Sequence, residues 1–124
     1  MREGGFLVLP VAEDTRIYAG ALVAVNATGY AVPGATATDL KAAGRAEEQL
    51  DNLGGAAGAK SIKVRRGVFQ FKNDAVDPVG AAHVLDDCYI VDDETVAATD
   101  GTSSRSAAGK VLGIDPSGVW VEIK

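Results

Sequence analysis

Turn-forming glycines cut this chain into pieces that suit strands better than helices. Glycine fills 15 of the 124 positions, about twice the usual share, and many of these glycines stand beside Asn, Asp, Pro or Ser, the residues that build turns. Short apolar runs lie between the turns. "ALVAVNATGYAVPG" holds two of them, Leu22 to Val25 and Tyr30 to Val32, around Asn26-Ala27-Thr28-Gly29, which reads as a hairpin with a four-residue connection. "VLGIDPSGVWVEIK" pairs Val111 to Ile114 with Val119 to Ile123 across Asp115-Pro116-Ser117-Gly118, a second hairpin. The strongest strand signal is "SIKVRRGVFQFKN": Ile62, Val64 and then Val68 alternate with Lys63 and Arg65, and Gly67 sits where a bulge would reset the register before Phe69 and Phe71.

The two halves of the chain share a grammar. Tyr30-Ala31-Val32 precedes Ala42-Ala43-Gly44-Arg45, and Tyr89-Ile90-Val91 precedes Ala107-Ala108-Gly109-Lys110, with a polar stretch rich in Thr and Ala between them in both cases. The second copy runs into β-branched residues, so the first is read as a strand too, with Arg45, Glu47 and Gln49 wet and Ala46 and Glu48 inward. The competing reading of "AAGRAEEQLDN" is a short amphipathic helix, since its residues are good helix formers. Elsewhere only Val79 to Leu85 and a turn begun by Thr38 or Asp39 invite helix. The expected fold is all-β with at most one or two short helices.

A chain of this length supports one hydrophobic core, with 47% hydrophobic and 23% charged residues placing it among ordinary folded proteins. Residues 1–10 read as an N-terminal arm, in which Gly4-Gly5 is a hinge before Phe6-Leu7-Val8-Leu9, and residues 11–124 read as a single β domain. The run could equally be a short buried strand. It is too short for a signal-peptide core or a bilayer span, which fits a product made in the cytoplasm. A net charge of −5 and a pI near 4.7 have the wrong sign for binding phosphates or an anionic membrane, so neither nucleic acid nor membrane is expected as a partner. The lone cysteine, Cys88, cannot form an intrachain disulfide.

Residue patterns with catalytic or binding precedent are incomplete. "GGAAGAKS" lacks the Gly directly before Lys and the following helix of a phosphate loop. His83 lies five residues before Cys88, but no third residue orients it as a base, and Cys88 reads as a small buried hydrophobe. Asp86, Asp87, Asp92, Asp93 and Glu94 form an acidic patch without calcium-loop spacing. "SSRS" lacks the turn that exposes a serine nucleophile. No enzyme and no cofactor are expected. Lys60, Lys63, Arg65, Arg66 and Lys72 make one basic stretch interleaved with Phe69 and Phe71. It reads as a strand with Phe inside and the cations outside, with single-stranded nucleic acid or an acidic protein partner as other readings.

At "VRRGVFQFKN", "CYIVDDETVA" and "GVWVEI" the chain resembles a group of small proteins of tailed bacteriophages that decorate, or cement, the capsid. The likeness covers roughly the last two thirds of the chain. It implies a compact β sandwich, jelly roll or barrel of short antiparallel strands that binds the outside of the assembled shell as a homodimer or homotrimer and bridges capsomers. The partners are then the major capsid protein and the chain itself, and the location is the virion exterior after assembly in the host cytoplasm. A tail or baseplate module that recognises carbohydrate or protein is the alternative. The residues expected to carry contacts are Phe6, Leu7, Val8, Leu9, Lys63, Arg65, Arg66 and Trp120, with Trp120 either at an interface or in the core.

Overall fold

The structure, a computed structural model, describes residues 6–123. In chain order its elements are β1 (Phe6–Pro10), β2 (Thr15–Ile17), β3 (Leu22–Val25), β4 (Ala31–Pro33), β5 (Lys41–Ala46), β6 (Leu50–Asn52), β7 (Ser61–Arg65), β8 (Gly67–Asn73), a 3-10 turn (Ala81–His83), β9 (Asp87–Ile90), β10 (Thr95–Ala97), β11 (Ala107–Asp115) and β12 (Gly118–Ile123). The fold is all-β, and no described helix is long and apolar enough to cross a membrane. Strands β1-β7-β5-β3-β4 form one sheet, β8-β12-β11-β9-β10 close into a barrel, and β2 pairs with β6 as a small third sheet.

These two five-stranded units follow one plan. Each neighbouring pair in the first has an antiparallel counterpart in the second. Closure matches as well: Val11 bridges Ala31 in parallel, as β8 pairs with β10 in parallel. Matching the registers sets Phe6 on Val68, Val23 on Cys88, Ala31 on Val96 and Val64 on Val121. The shared letters Ala-Ala-Gly fall on each other and do the same thing. Ala43 is the extra residue of a bulge between β5 and β3, and Ala108 is the extra residue of a bulge between β11 and β9. The glycine that follows packs directly on a neighbouring strand: a Cβ on Gly44 would fall on the carbonyl oxygen of Arg65, and one on Gly109 on that of Glu122. The other half of the sequence match is displaced. The strand equivalent to β9, which holds Tyr89, is β3 and not the segment that follows Tyr30.

One rung separates the two closures. In the second unit Lys72 N–H donates to Glu94 O (2.7 Å) and Asp74 N–H to Val96 O (2.9 Å). In the first, Ala12 N–H donates to Ala31 O (3.0 Å), which matches the second of these bonds. The position matching Lys72 is Pro10, which has no N–H to give. The first unit therefore remains an open sheet whose two ends meet at a single bridge, and β1 keeps an edge that no described strand pairs.

Two cores result. Val11, Ile17, Val23, Ala31, Ala43, Ala46, Ile62 and Val64 fill the first unit, while Phe69, Phe71, Cys88, Ile90, Val96, Val111, Val119 and Val121 are among those filling the second. Leu22 and Ala24 point away from the first core into the second, so β3 is buried on both faces. Phe6–Pro10 are thus not a free arm: Leu7 and Leu9 alternate into the first core and β1 pairs with β7 along its length. Residues 1–5, with the Gly4-Gly5 hinge, lie outside the described residues.

Other local expectations shift for physical reasons. "AAGRAEEQLDN" is neither helix nor one strand, because β5 ends at Ala46 and a bend leads into β6. Glu48 therefore avoids the interior; it is exposed and accepts a bond from Lys63 N–H (3.3 Å). Arg45 does not sit on a wet face either, since its guanidinium lies over the Phe69 ring at 4.9 Å, where the two units meet. The turn at Thr38-Asp39 stays non-helical, and the helix expected from Val79 to Leu85 shrinks to Ala81–His83. Gly67 resets more than a register: β7 belongs to the first sheet and β8 to the second.

If the two glycines are equivalent, Gly44→Ala and Gly109→Ala should each cost about 1–3 kcal/mol, since strand backbone cannot yield easily to an added methyl. Gly113→Ala, whose Cβ would meet nothing within 4 Å, should be nearly neutral. Urea unfolding of the three variants measures this.

Candidate functional site

The expected contact residues separate into three groups. Strand alternation sends Leu7 and Leu9 into the first core, where they are half-buried, and leaves Phe6 and Val8 outward. Opposite them on β7, Arg65 is the register partner of Phe6 and Lys63 that of Val8. These are the narrow pairs of the ladder, because Val11 N–H donates to Lys60 O and the N–H groups of Leu9 and Leu7 follow it toward β7. Close approach places Lys63 Nζ 4.4 Å and Arg65 Cζ 4.5 Å from the centre of the Phe6 ring. Arg65 also pairs with Glu47 at 3.2 Å. Val8 stands beside this cluster with 70% of its surface exposed.

Trp120 forms the second group. It lies on the outer face of the closed barrel, 40% exposed, in register with Gln70 on β8 and Gly113 on β11. Its indole N–H donates to Asp115 Oδ2 (3.0 Å), and Gln70 Nε2 donates to Asp115 Oδ1 (3.0 Å). The backbone N–H groups of Ser117 and Gly118 donate to the same Oδ1. This environment, the Trp120 bond first, holds the Asp115 carboxyl below its ordinary pKa. The ring is therefore a surface aromatic held in one orientation, and the core alternative for Trp120 does not hold. Leu112 and Val68, 39% and 46% exposed, flank it on β11 and β8.

Arg66 makes the third group alone. It is the single residue between β7 and β8, half-buried, with its Nε hidden and unpartnered. Lys72 is on the closed barrel and tied to Glu94 at 3.0 Å, and Lys60 Nζ donates to Asp51 O (2.7 Å), so the basic stretch of the sequence is not one stripe in space. Phe69 and Phe71 face inward, 6.5 Å apart and edge to face.

Register matching puts the first two groups on the same part of the shared plan. Phe6 takes the place of Val68, Val8 of Gln70 and Lys63 of Trp120. Sequence reasoning missed Val68, Gln70, Leu112 and Asp115. The terminal hairpin carried the signal, since the alternation that buries Val119 and Val121 turns Trp120 outward beside whatever β8 and β11 present.

The residues considered for chemistry are engaged elsewhere. His83 Nδ1 accepts Gly80 N–H (2.8 Å), while Cys88 is fully buried and its thiol is pushed up to about 12 by burial. A thiol so hard to ionise is a poor nucleophile. Among the described residues no three His, Cys, Asp or Glu side chains gather as a metal would require.

No family model, curated protein or solved structure matches the chain. What the molecule can do has to be read from its two outward faces and its open edge.

Asp115 supplies a pH test. Its folded pKa is depressed, so its tether on Trp120 is intact above the ordinary carboxyl value and is lost as pH falls through the lower folded value, below about pH 4. The protein has one tryptophan, so its fluorescence should shift in that window, and Asp115→Ala should show the acid-form emission already at neutral pH.

Proposed function

We propose that the protein decorates the outside of a tailed-bacteriophage capsid, bound to the major capsid protein as a homo-oligomer that bridges neighbouring capsomers. The observation that carries this reading is the open edge of β1. Ala12 N–H points to β4 and Val11 N–H to β7, so by alternation the N–H and C=O of Val8 point away from β7, on a side where no described strand pairs with β1. Pro10 leaves the matching rung unmade. An edge of this kind accepts an extended segment from another protein by backbone hydrogen bonds.

Contacts of that type are individually modest. An oligomer that presents several β1 edges to a repeating surface turns the later contacts into intramolecular ones, which multiplies their effect. The resemblance at "VRRGVFQFKN", "CYIVDDETVA" and "GVWVEI" supports the shell as that surface. Phe6-Leu7-Val8-Leu9 is an integral edge strand and not a free arm, so deleting it would strip Leu7 and Leu9 from the first core.

Val8→Pro is the clean test. It removes one of the two N–H groups, those of Phe6 and Val8, that face away from β7 and spares those that bond β7, the arrangement that edge strands tolerate. Thermal unfolding should change little, while co-sedimentation with undecorated capsids should weaken at least about tenfold, a loss of about 1.4 kcal/mol per site before multivalency. Val8→Thr should retain binding. Full decoration by Val8→Pro would overturn the reading, and a handful of copies per virion instead of hundreds would point to the tail or baseplate alternative.

A further inference from the structure

The two equivalent outward faces carry the two halves of one recognition chemistry. Lys63 and Trp120 occupy the same place on the two units, one a cation and the other the aromatic ring that binds cations best. Around Lys63 lie Phe6, Arg65 and the exposed Val8, with the Glu47 carboxylate on Arg65 and that of Glu48 on the Lys63 N–H. Around Trp120 lie Leu112, Val68 and the carboxylate of Asp115. Lys72, a cation that would spoil the second face, is drawn aside by Glu94 at 3.0 Å.

We propose that this chain associates with itself head to tail, the Phe6–Lys63–Arg65 face of one copy seated on the Val68–Leu112–Trp120 face of the next. Lys63 Nζ and the Arg65 guanidinium approach the indole and Asp115 of the neighbour, and Phe6 covers Leu112 and Val68. Among the described residues the cations lie on Phe6, with Arg65 also paired to Glu47, and the indole N–H goes to Asp115. Trp and Arg are the side chains most often responsible for interface energy, and Trp120 is already held in place, so little of its freedom is lost on contact.

The contact is heterologous, joining unlike faces, and therefore generates a closed ring or a filament according to the rotation between copies. It leaves the β1 edge free, because that edge points along the sheet while the face points away from it. The proposal concerns the contact between copies and stands without a shell. It also supplies the oligomer on which the capsid reading draws.

Sedimentation velocity of the full chain, free of capsids, tests it. The parent should associate, and Trp120→Ala and Lys63→Glu should each weaken association at least tenfold while keeping parental thermal unfolding. Each variant retains the face that the other lacks, so an equal mixture should form a species of twice the monomer mass that grows no further. Lys63→Gln replaces Lys63→Glu should the reversal lower thermal stability, and Leu112→Asp is a second probe of the Trp120 face. Three results would overturn the proposal: a parent that stays monomeric through high micromolar concentration, Lys63 variants that associate like the parent, which would mean that the Trp120 face pairs with itself, or a mixture that restores nothing. Capsid co-sedimentation is read separately, so failure here and failure of the shell reading remain distinct.

Discussion

Leu22 and Ala24 of β3 point into the core of one unit, and Val23 between them points into the core of the other, with all three fully buried. A strand buried on both faces can present no polar side chain to either side, and this one reads Leu-Val-Ala-Val. It acts as a wall shared by the open sheet and the closed barrel, which would each be marginal alone: five short strands around a small core leave much apolar surface exposed. Sharing the wall buries the outer side of one unit with the inner residues of the next. Arg45 marks the seam, with its charge accommodated by the face of Phe69 at 4.9 Å.

The shared plan also shows how little a five-stranded unit needs repeated to be built twice. The Ala-Ala-Gly bulge bends β5 and β11 alike, and the missing side chain of Gly44 or Gly109 lets a neighbouring carbonyl come close. Other equivalent positions have diverged freely wherever they meet solvent. Lys63 and Trp120, or Phe6 and Val68, answer the same geometry with different chemistry, and two unlike faces on one scaffold follow from that divergence. Pro10 in the place of Lys72 is the most consequential difference, because it removes a backbone donor and so leaves one unit open at β1.

Rigidity at the surface comes from small polar networks. Asp115 gathers the Trp120 indole, the Gln70 amide and two turn N–H groups, so the hairpin turn and the exposed ring are fixed by one carboxylate. Asp77 plays a comparable part near the 3-10 turn. It binds the Thr99 hydroxyl and backbone and Arg105 at 2.9 Å, and its carboxyl is lowered chiefly by the Thr99 hydroxyl bond. Asn52, one of the few buried polar side chains, donates to Ala12 O and Ala56 O and so pins the loop before β7.

Alternation along single strands was legible without a structure. Ile62 and Val64, Phe69 and Phe71, and Val119 and Val121 go inward because successive side chains of a strand point to opposite sides, and the Asn26 and Asp115 turns lie where their residue types place them. The recurrence of Ala-Ala-Gly was visible too, and with it the all-β class. Which strand pairs with which was not, because pairing joins residues far apart along the chain and its register depends on partners that local pattern does not name. For that reason Tyr30 was aligned with Tyr89 although β3 is the strand that answers β9, and Phe6–Leu9 read as an arm until β7 supplied its partner. The candidate contacts divide the same way: their residue types came from the sequence, while only tertiary packing decided that Leu7 and Leu9 are interior, that Arg66 stands apart, and that Phe6, Lys63 and Arg65 meet on one face with Trp120 on its counterpart.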